Sequence, residues 1–557
     1  MRPPPVTFSV LPLTMRTWTT LSSTALVLFC TAQQPGVEQG KPFSRTFKNA
    51  LGDQHSVVDG VLPTDGRPLL YVEEGPAHKV VRLDAQLQPT EEVVLKDVLM
   101  DGVKWNGVTP IIQDGTMRCL LVSSTKKSTD FGVGTISTTG ALALTGFRKI
   151  ASFDHAYTVD AATSLGRRPQ PDPILFSLGL TSAHQERLVR SPDGQHYLLN
   201  MYSHGGKDPK RIWCVYMDAQ LNEVWSTTLE FPFADDRSRV HQISLADNGN
   251  VHILSYVFRC DGQEKMGDKM CHEIHLSTIL DQGKTLKNVL VDKDFVSSAR
   301  ICERNDGRVT LALRYGALTG IPGQVLTFDP LDAKLKTTPL VDQRLASIRK
   351  VKLTGFGTID GDPNKPASVR AKLPDEVVAV IPAWDGGTVL IETFLENDFQ
   401  LPVGDAVAIR HFCGATRASY IDASDTIRWQ RTMDRAYLTT AGQAYETVGF
   451  NLHGTGIDLL FGHTPRGLAG ILASGGEGVD KGKGLIPEPG VLKAVRLDRQ
   501  GQVTKEGTAL KQEKDFAASP MTAVFGSDAT HVLLKSFDRG TSYNYTILDL
   551  SQFGLQE

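Results

Sequence analysis

The sequence predicts an all-β fold, a β-propeller of four-stranded antiparallel blades, and three observations carry that prediction. A tight turn followed by an apolar run recurs eight times along the 557 residues. A strand-like run ending in Asp or Ser follows each turn, so every unit reads as two hairpins. No amphipathic helical stretch separates one unit from the next. Composition agrees, with 41% hydrophobic and 22% charged residues, 51 Gly and 29 Pro. A net charge of −3 lacks the basic excess of a nucleic-acid-binding surface. The apolar content is also too high for a disordered chain.

The first 32 residues read as a secretory signal. Arg16 precedes the apolar stretch Thr24-Ala-Leu-Val-Leu-Phe-Cys-Thr-Ala32, which ends on small residues before Gln33. Met15 is an alternative start that gives a signal of ordinary length. Cys30 invites lipidation, but Phe29 stands where a lipobox takes Gly, Ala or Ser. The expectation is an exported protein (periplasmic, outer-surface or secreted) that is cut after Ala32. No later stretch reaches the roughly 18 apolar residues of a membrane-spanning helix, so none is expected in the mature chain. Residues 33–557 then form one propeller domain, with insertions near 343–373 and 461–490.

The turn series runs Asp65-Gly66, Asp114-Gly115, Asp193-Gly194, Asn248-Gly249, Asp306-Gly307 and Asp385-Gly386. Weaker versions stand at Gly454-Thr-Gly456 and Ser527-Asp-Ala529. Asp-Gly and Asn-Gly supply the positive φ angles of tight hairpins. The second landmark ends at Asp84, Ser137, Asp218, Ser277, Asp329, Asp422, Asp498 and Asp549. Eight blades are expected, with seven as the alternative and a pair of β-sandwiches as a different architecture. The chain ends soon after Asp549 and leaves no room for a fourth strand in the last unit. Phe43–Asn49, just after the signal, is expected to supply it and so close the ring.

Four cysteines, Cys119, Cys214, Cys302 and Cys413, sit in apolar strand-like runs and read as buried thiols. Cys260 and Cys271 bracket a polar loop between two strands and are the disulfide candidates in an oxidising compartment.

Ser191-Pro-Asp-Gly194 resembles the turn common in the propellers of periplasmic Tol-system proteins and of Trp-Asp-repeat proteins. Tyr216–Trp225 and Tyr420–Trp429 are similar to repeats of quinoprotein-type eight-bladed propellers, where a strand ends in Asp-x-x-x-Gly and a Trp packs between blades. Neither segment keeps the Gly, so a quinone dehydrogenase is not implied. The segment Trp213 to Val251 resembles secreted uncharacterised propellers of Bacteroidetes. That resemblance implies fold and export, and no activity.

The chemistry legible in the sequence is sparse. His272-Glu-Ile-His275 would place its imidazoles on opposite faces of a strand, so they do not converge on a metal. Asp360-Gly-Asp-Pro-Asn364 starts like a calcium loop but has Lys365 for the turn Gly and Ala371 for the bidentate Glu. Gly475–Gly484 lacks the Gly-Lys-Ser/Thr of a phosphate loop. No metal or cofactor is expected. Topology instead gathers Arg187, Arg239, His241 and Arg300 with Arg314, Tyr315 and Glu392 at one mouth of the ring. Several guanidiniums there would suit carboxylate, sulfate or phosphate. The expected function is a non-catalytic binding or scaffolding module for a protein or glycan partner at the cell envelope. The alternative is a secreted carbohydrate- or anion-processing hydrolase working at the channel mouth.

Overall fold

In the computed structural model, the chain divides into two units, Met1–Gln34 and Pro35–Glu557. The structure describes residues 37–39, 43–44, 55–63, 67–74, 77–154, 188–203, 207–258, 272–293, 296–315, 323–332, 334–340, 348–349, 368–369, 376–403, 406–433, 435, 437–439, 448–463, 491–511, 516–518, 520, 523–526, 528, 530–538 and 542–553. The description that follows is of the second unit.

Strands form eight antiparallel meanders, the blades of a β-propeller. Blade 1 runs His55–Val61, Leu69–Glu74, Ala77–Leu83 and Pro89–Val94. Blade 2 runs Val103–Gln113, Thr116–Ser124, Thr129–Ser137 and Ala143–Phe153, with Val98–Met100 added beside its first strand. Blade 3 runs Leu188–Arg190, His196–Tyr202, Pro209–Asp218 and Glu223–Ala234. Blade 4 runs Ser238–Leu245, Val251–Phe258, His272–Leu280 and Thr285–Asp292. Blade 5 runs Val296–Glu303, Val309–Tyr315, Gln324–Asp329 and Lys334–Pro339. Blade 6 runs Glu376–Pro382, Thr388–Val403, Ala406–Ile421 and Ile427–Met433. Blade 7 runs Gly449–His453, Gly456–His463, Val491–Asp498 and Val503–Lys511. Within the 343–373 region, Ile348–Arg349 pairs with Ser368–Val369 as a separate small ladder.

Blade 8 is built from both ends of the unit. Phe516–Ala518 and Val524–Phe525 share the inner position, followed by His531–Asp538 and Ser542–Asp549. Its outer strand comes from the N-terminal side. Val37 pairs with Leu548 and Gln39 with Thr546, and Phe43 then pairs with Tyr543, all antiparallel. The expected closure is therefore present, and it begins earlier than the sequence indicated, at Val37 rather than Phe43. Residues 45–49 of the expected strand lie outside the described residues.

Apolar packing closes the same ring. Each hydrophobic cluster straddles two consecutive blades, because alternate side chains leave opposite faces of a strand. Leu199 and Met217 of blade 3 meet Leu120 and Phe131 of blade 2, while Leu198 and Ile212 of the same blade meet Ile243 and Ile253 of blade 4. The last interface packs Val524, Leu533 and Tyr545 of blade 8 against Val57, Leu70 and Val81 of blade 1. Cys119, Cys214, Cys302 and Cys413 are all buried, as their apolar surroundings predict. Burial pushes the Cys302 thiol up to about 12.

The Asp that recurs at the ends of third strands has a local cause. The Oδ1 of Asp84, Asp218, Asp422 and Asp498 each accepts two backbone N–H groups of the following turn. In blade 4 the third strand continues past Ser277 to Leu280, and Asp281, Gln282 and Gly283 make the turn with positive φ. The inter-blade Trp packing is also present, with its Gly in an unexpected place. Trp225 and Trp429 face the turn glycines of the next blade, Gly283 and Gly501, rather than glycines of their own units. Trp429 Nε1 also donates to Arg499 O at 2.8 Å.

Candidate ligand site at the inner rim of blades 4 to 6

The meander sorts the loops into two faces. Turns between strands one and two, and between strands three and four, lie on one face. Connections between blades and between strands two and three lie on the other. First strands of consecutive blades are neighbours and form the inner rim. Gln242 of blade 4 bonds both backbone groups of Ile301 in blade 5, and Ser298 Oγ accepts from Val377 N of blade 6 at 3.0 Å.

Near this face the first strands carry β-bulges. In blade 4 the register slips between Val240 and Gln242, in blade 5 between Val296 and Ser298, and in blade 6 between Val377 and Ala379. A bulge re-aims the extra residue. In blade 4 that residue is His241, which the bulge turns onto its neighbour: Nε2 lies 2.9 Å from Ala299 O. His241 is 1% exposed, and burial together with the Arg300 charge pushes its pKa down to about 3. It is a neutral imidazole bonding a rim carbonyl.

The predicted residues thus separate into two groups. Glu392 is fully buried and accepts from Arg314 Nε at 2.5 Å and Arg417 Nε at 2.9 Å. It joins blade 5 to blade 6, and a carboxylate so enclosed is structural. The Tyr315 hydroxyl donates to Asp292 Oδ2 at 2.5 Å within blade 5's junction with blade 4. Arg239 donates to Ser238 O at 2.9 Å and lies over the Phe258 ring. Arg300 differs from these. It donates through Nη1 to Ala299 O at 2.8 Å, and burial lowers its pKa. Arg187, Cys260 and Cys271 lie outside the described residues, as do the Asp360–Asn364 and Gly475–Gly484 loops.

Sequence reasoning missed Glu376, Arg417 and Arg435. Glu376 opens the first strand of blade 6 and is partly exposed. Burial raises its pKa, against the pull of Arg300 and Arg435. Arg417 was legible only as a charge inside the small-residue run Gly414-Ala-Thr-Arg-Ala-Ser419. The His272–His275 pair behaves as its spacing requires. His272 is buried beside the Tyr256 ring, while His275 bonds Glu273 at 3.0 Å and Asn288 at 3.0 Å. Among the described residues, no three His, Cys, Asp or Glu side chains converge as a metal site. Among them also, no helix is long and apolar enough to cross a membrane.

Fold and rim together define an eight-bladed β-propeller with a polar inner rim. No known family signature matches the chain, and no curated protein matches it. Solved structures do. Prolyl oligopeptidase B from Galerina marginata is similar at 9% identity and a TM-score of 0.37, over 88% of this chain; this chain spans 56% of that one. An uncharacterised protein from Listeria monocytogenes is similar at 11% identity and TM-score 0.36, over 81% of this chain and 97% of that one. A protein of unknown function from Bacteroides caccae is similar at 12% identity and TM-score 0.25, over 68% and 94%.

Proposed function

We propose that this protein is an exported, non-catalytic binding propeller that engages a protein or glycan partner at the cell envelope through its inner-rim face. The observation that supports this reading over a hydrolase is the placement of Glu376 and Glu392. Glu392 pairs across the sheet with Val377, so it leaves the opposite face of the blade from the adjacent Glu376. Two acids acting on one glycosidic bond must instead converge, about 5–9.5 Å apart. Glu392 is besides enclosed by Arg314 and Arg417. Export is proposed from the leader-like residues 16–32.

The test combines capture and turnover. Purified protein is screened on a glycan array, used as bait in envelope extract, and incubated with the glycans it retains. Saturable capture without product formation supports the reading. Release of cleaved glycan replaces it with the hydrolase alternative. N-terminal sequencing of the cellular protein should begin near Gln33; Met1 or Met15 on folded protein overturns export.

A further inference from the structure

We infer that the inner rim of blades 5 and 6 holds a carboxylate-bearing ligand, clamped by Arg300 with Glu376 beside it. The inference rests on the binding reading above and names its ligand class.

Arg300 is 8% exposed, yet its guanidinium is only partly used. Nη1 donates to Ala299 O at 2.8 Å and lies 3.3 Å from His241 Nε2. Among the described residues, Nε and Nη2 make no hydrogen bond. Those two nitrogens form the side-on fork that binds a carboxylate through two parallel bonds. With those two nitrogens making no hydrogen bond among the described residues, the guanidinium can donate both parallel bonds to one anion.

The neighbouring acid does not fill it. Glu376 makes no hydrogen bond or ion pair among the described residues, and it meets Arg300 and Arg435 only as longer-range charges. The Tyr256 hydroxyl, which Arg300 also influences, is buried and has no hydrogen-bond partner among the described residues. Charges facing Glu376 are Arg300 on blade 5 and Arg435 beyond the last strand of blade 6. His241 and Tyr256 on blade 4, which face Arg300, are neutral.

An incoming carboxylate also disfavours ionised Glu376 and raises its pKa further, so binding takes up a proton. Affinity therefore strengthens as pH falls toward the ordinary carboxylate range. It stops strengthening where the ligand itself protonates.

Calorimetric titration with D-galacturonate, D-galactose and sulfate tests this. The acidic sugar should bind and the neutral one should not. Weaker binding of sulfate than of galacturonate identifies a carboxylate site, whereas tighter binding of sulfate overturns that class. Arg300→Ala should weaken galacturonate by about tenfold or more. Arg300→Lys keeps the charge and loses the fork, so it should lose affinity at an unchanged melting temperature. Glu376→Gln should abolish the pH dependence while retaining binding. No galacturonate binding by the wild type, or binding by both Arg300 variants equal to the wild type's, overturns the inference. Capture of an envelope partner in that case leaves the binding reading standing, so the two fail separately.

Discussion

Gln242 and Ile301 are joined amide to amide across two blades. Gln242 Nε2 donates to Ile301 O at 2.9 Å, and Gln242 Oε1 accepts from Ile301 N at 2.9 Å. First strands have a free edge at the rim, and an unpaired backbone amide there is costly. The side-chain amide of one blade supplies the missing strand for the next. Gln242→Ala should destabilise the protein by about 1–3 kcal/mol, the cost of leaving these groups unmatched. Gln242→Glu should cost at least as much, since it sets a carboxylate against a carbonyl. Urea unfolding of the three proteins measures both.

Gly501 separates backbone strain from packing. Its φ is 73°, and a Cβ there would stand 2.5 Å from Trp429 Cδ2. Gly115 has φ 72° with nothing among the described residues within 4 Å of the added carbon. Gly115→Ala should cost only the left-handed backbone penalty, about 1–2 kcal/mol. Gly501→Ala should cost about 1–3 kcal/mol more, because it also displaces the Trp between blades 6 and 7. Denaturation midpoints check the difference, and Trp fluorescence should shift only in the second variant.

Asp425 fastens blade 6 to blade 5. It accepts from Arg304 Nη1 at 2.5 Å, Thr327 Oγ1 at 2.8 Å, Lys336 Nζ at 3.0 Å and Arg308 Nη1 at 3.2 Å. Burial works the other way, but the bonds from Thr327, Lys336 and Arg304 hold its carboxyl below the usual range. Asp422, in the same turn, is held at about 2, against burial, by Ser424, Thr426 and Arg428. A carboxylate depressed in the folded state stabilises above its unfolded pKa and loses that stabilisation as pH falls through the folded value. Stability should therefore fall from about pH 4 downward. Asp425→Asn should remove about 3–5 kcal/mol at neutral pH and flatten the acid limb. Melting curves from pH 7 to pH 2 test the sign.

Ring closure depends on a strand far from blade 8 in sequence. Val37–Gln39 and Phe43–Ser44 cover the edge of Ser542–Asp549. Deleting residues 33–50 should uncover that edge and destabilise the whole ring, not the last blade alone. The expected result is a lower melting temperature together with concentration-dependent aggregation. A truncated protein that melts like the intact one overturns this closure.

The sequence by itself pointed to eight blades, with seven as the alternative, and gave their order, because turn chemistry is local. Asp and Asn before Gly, and Asp at the ends of third strands, each satisfy backbone groups a few residues away, so their spacing survives as a pattern. It also marked four thiols for burial and placed the closing strand within a few residues. The rim was decided only in three dimensions. Arg300, Arg314 and Tyr315 look alike as polar residues along strands. Arg314 meets Glu392 of blade 6 and Tyr315 meets Asp292 of blade 4, whereas Arg300 bonds the carbonyl of Ala299 in its own strand. His241 reaches Ala299 because of a one-residue bulge with no signature of its own. Glu376 and Glu392 are sixteen positions apart in sequence, adjacent in the sheet, and opposite in direction. Pairing register, which is set by the whole blade, made one an enclosed ion pair and left the other beside an open guanidinium.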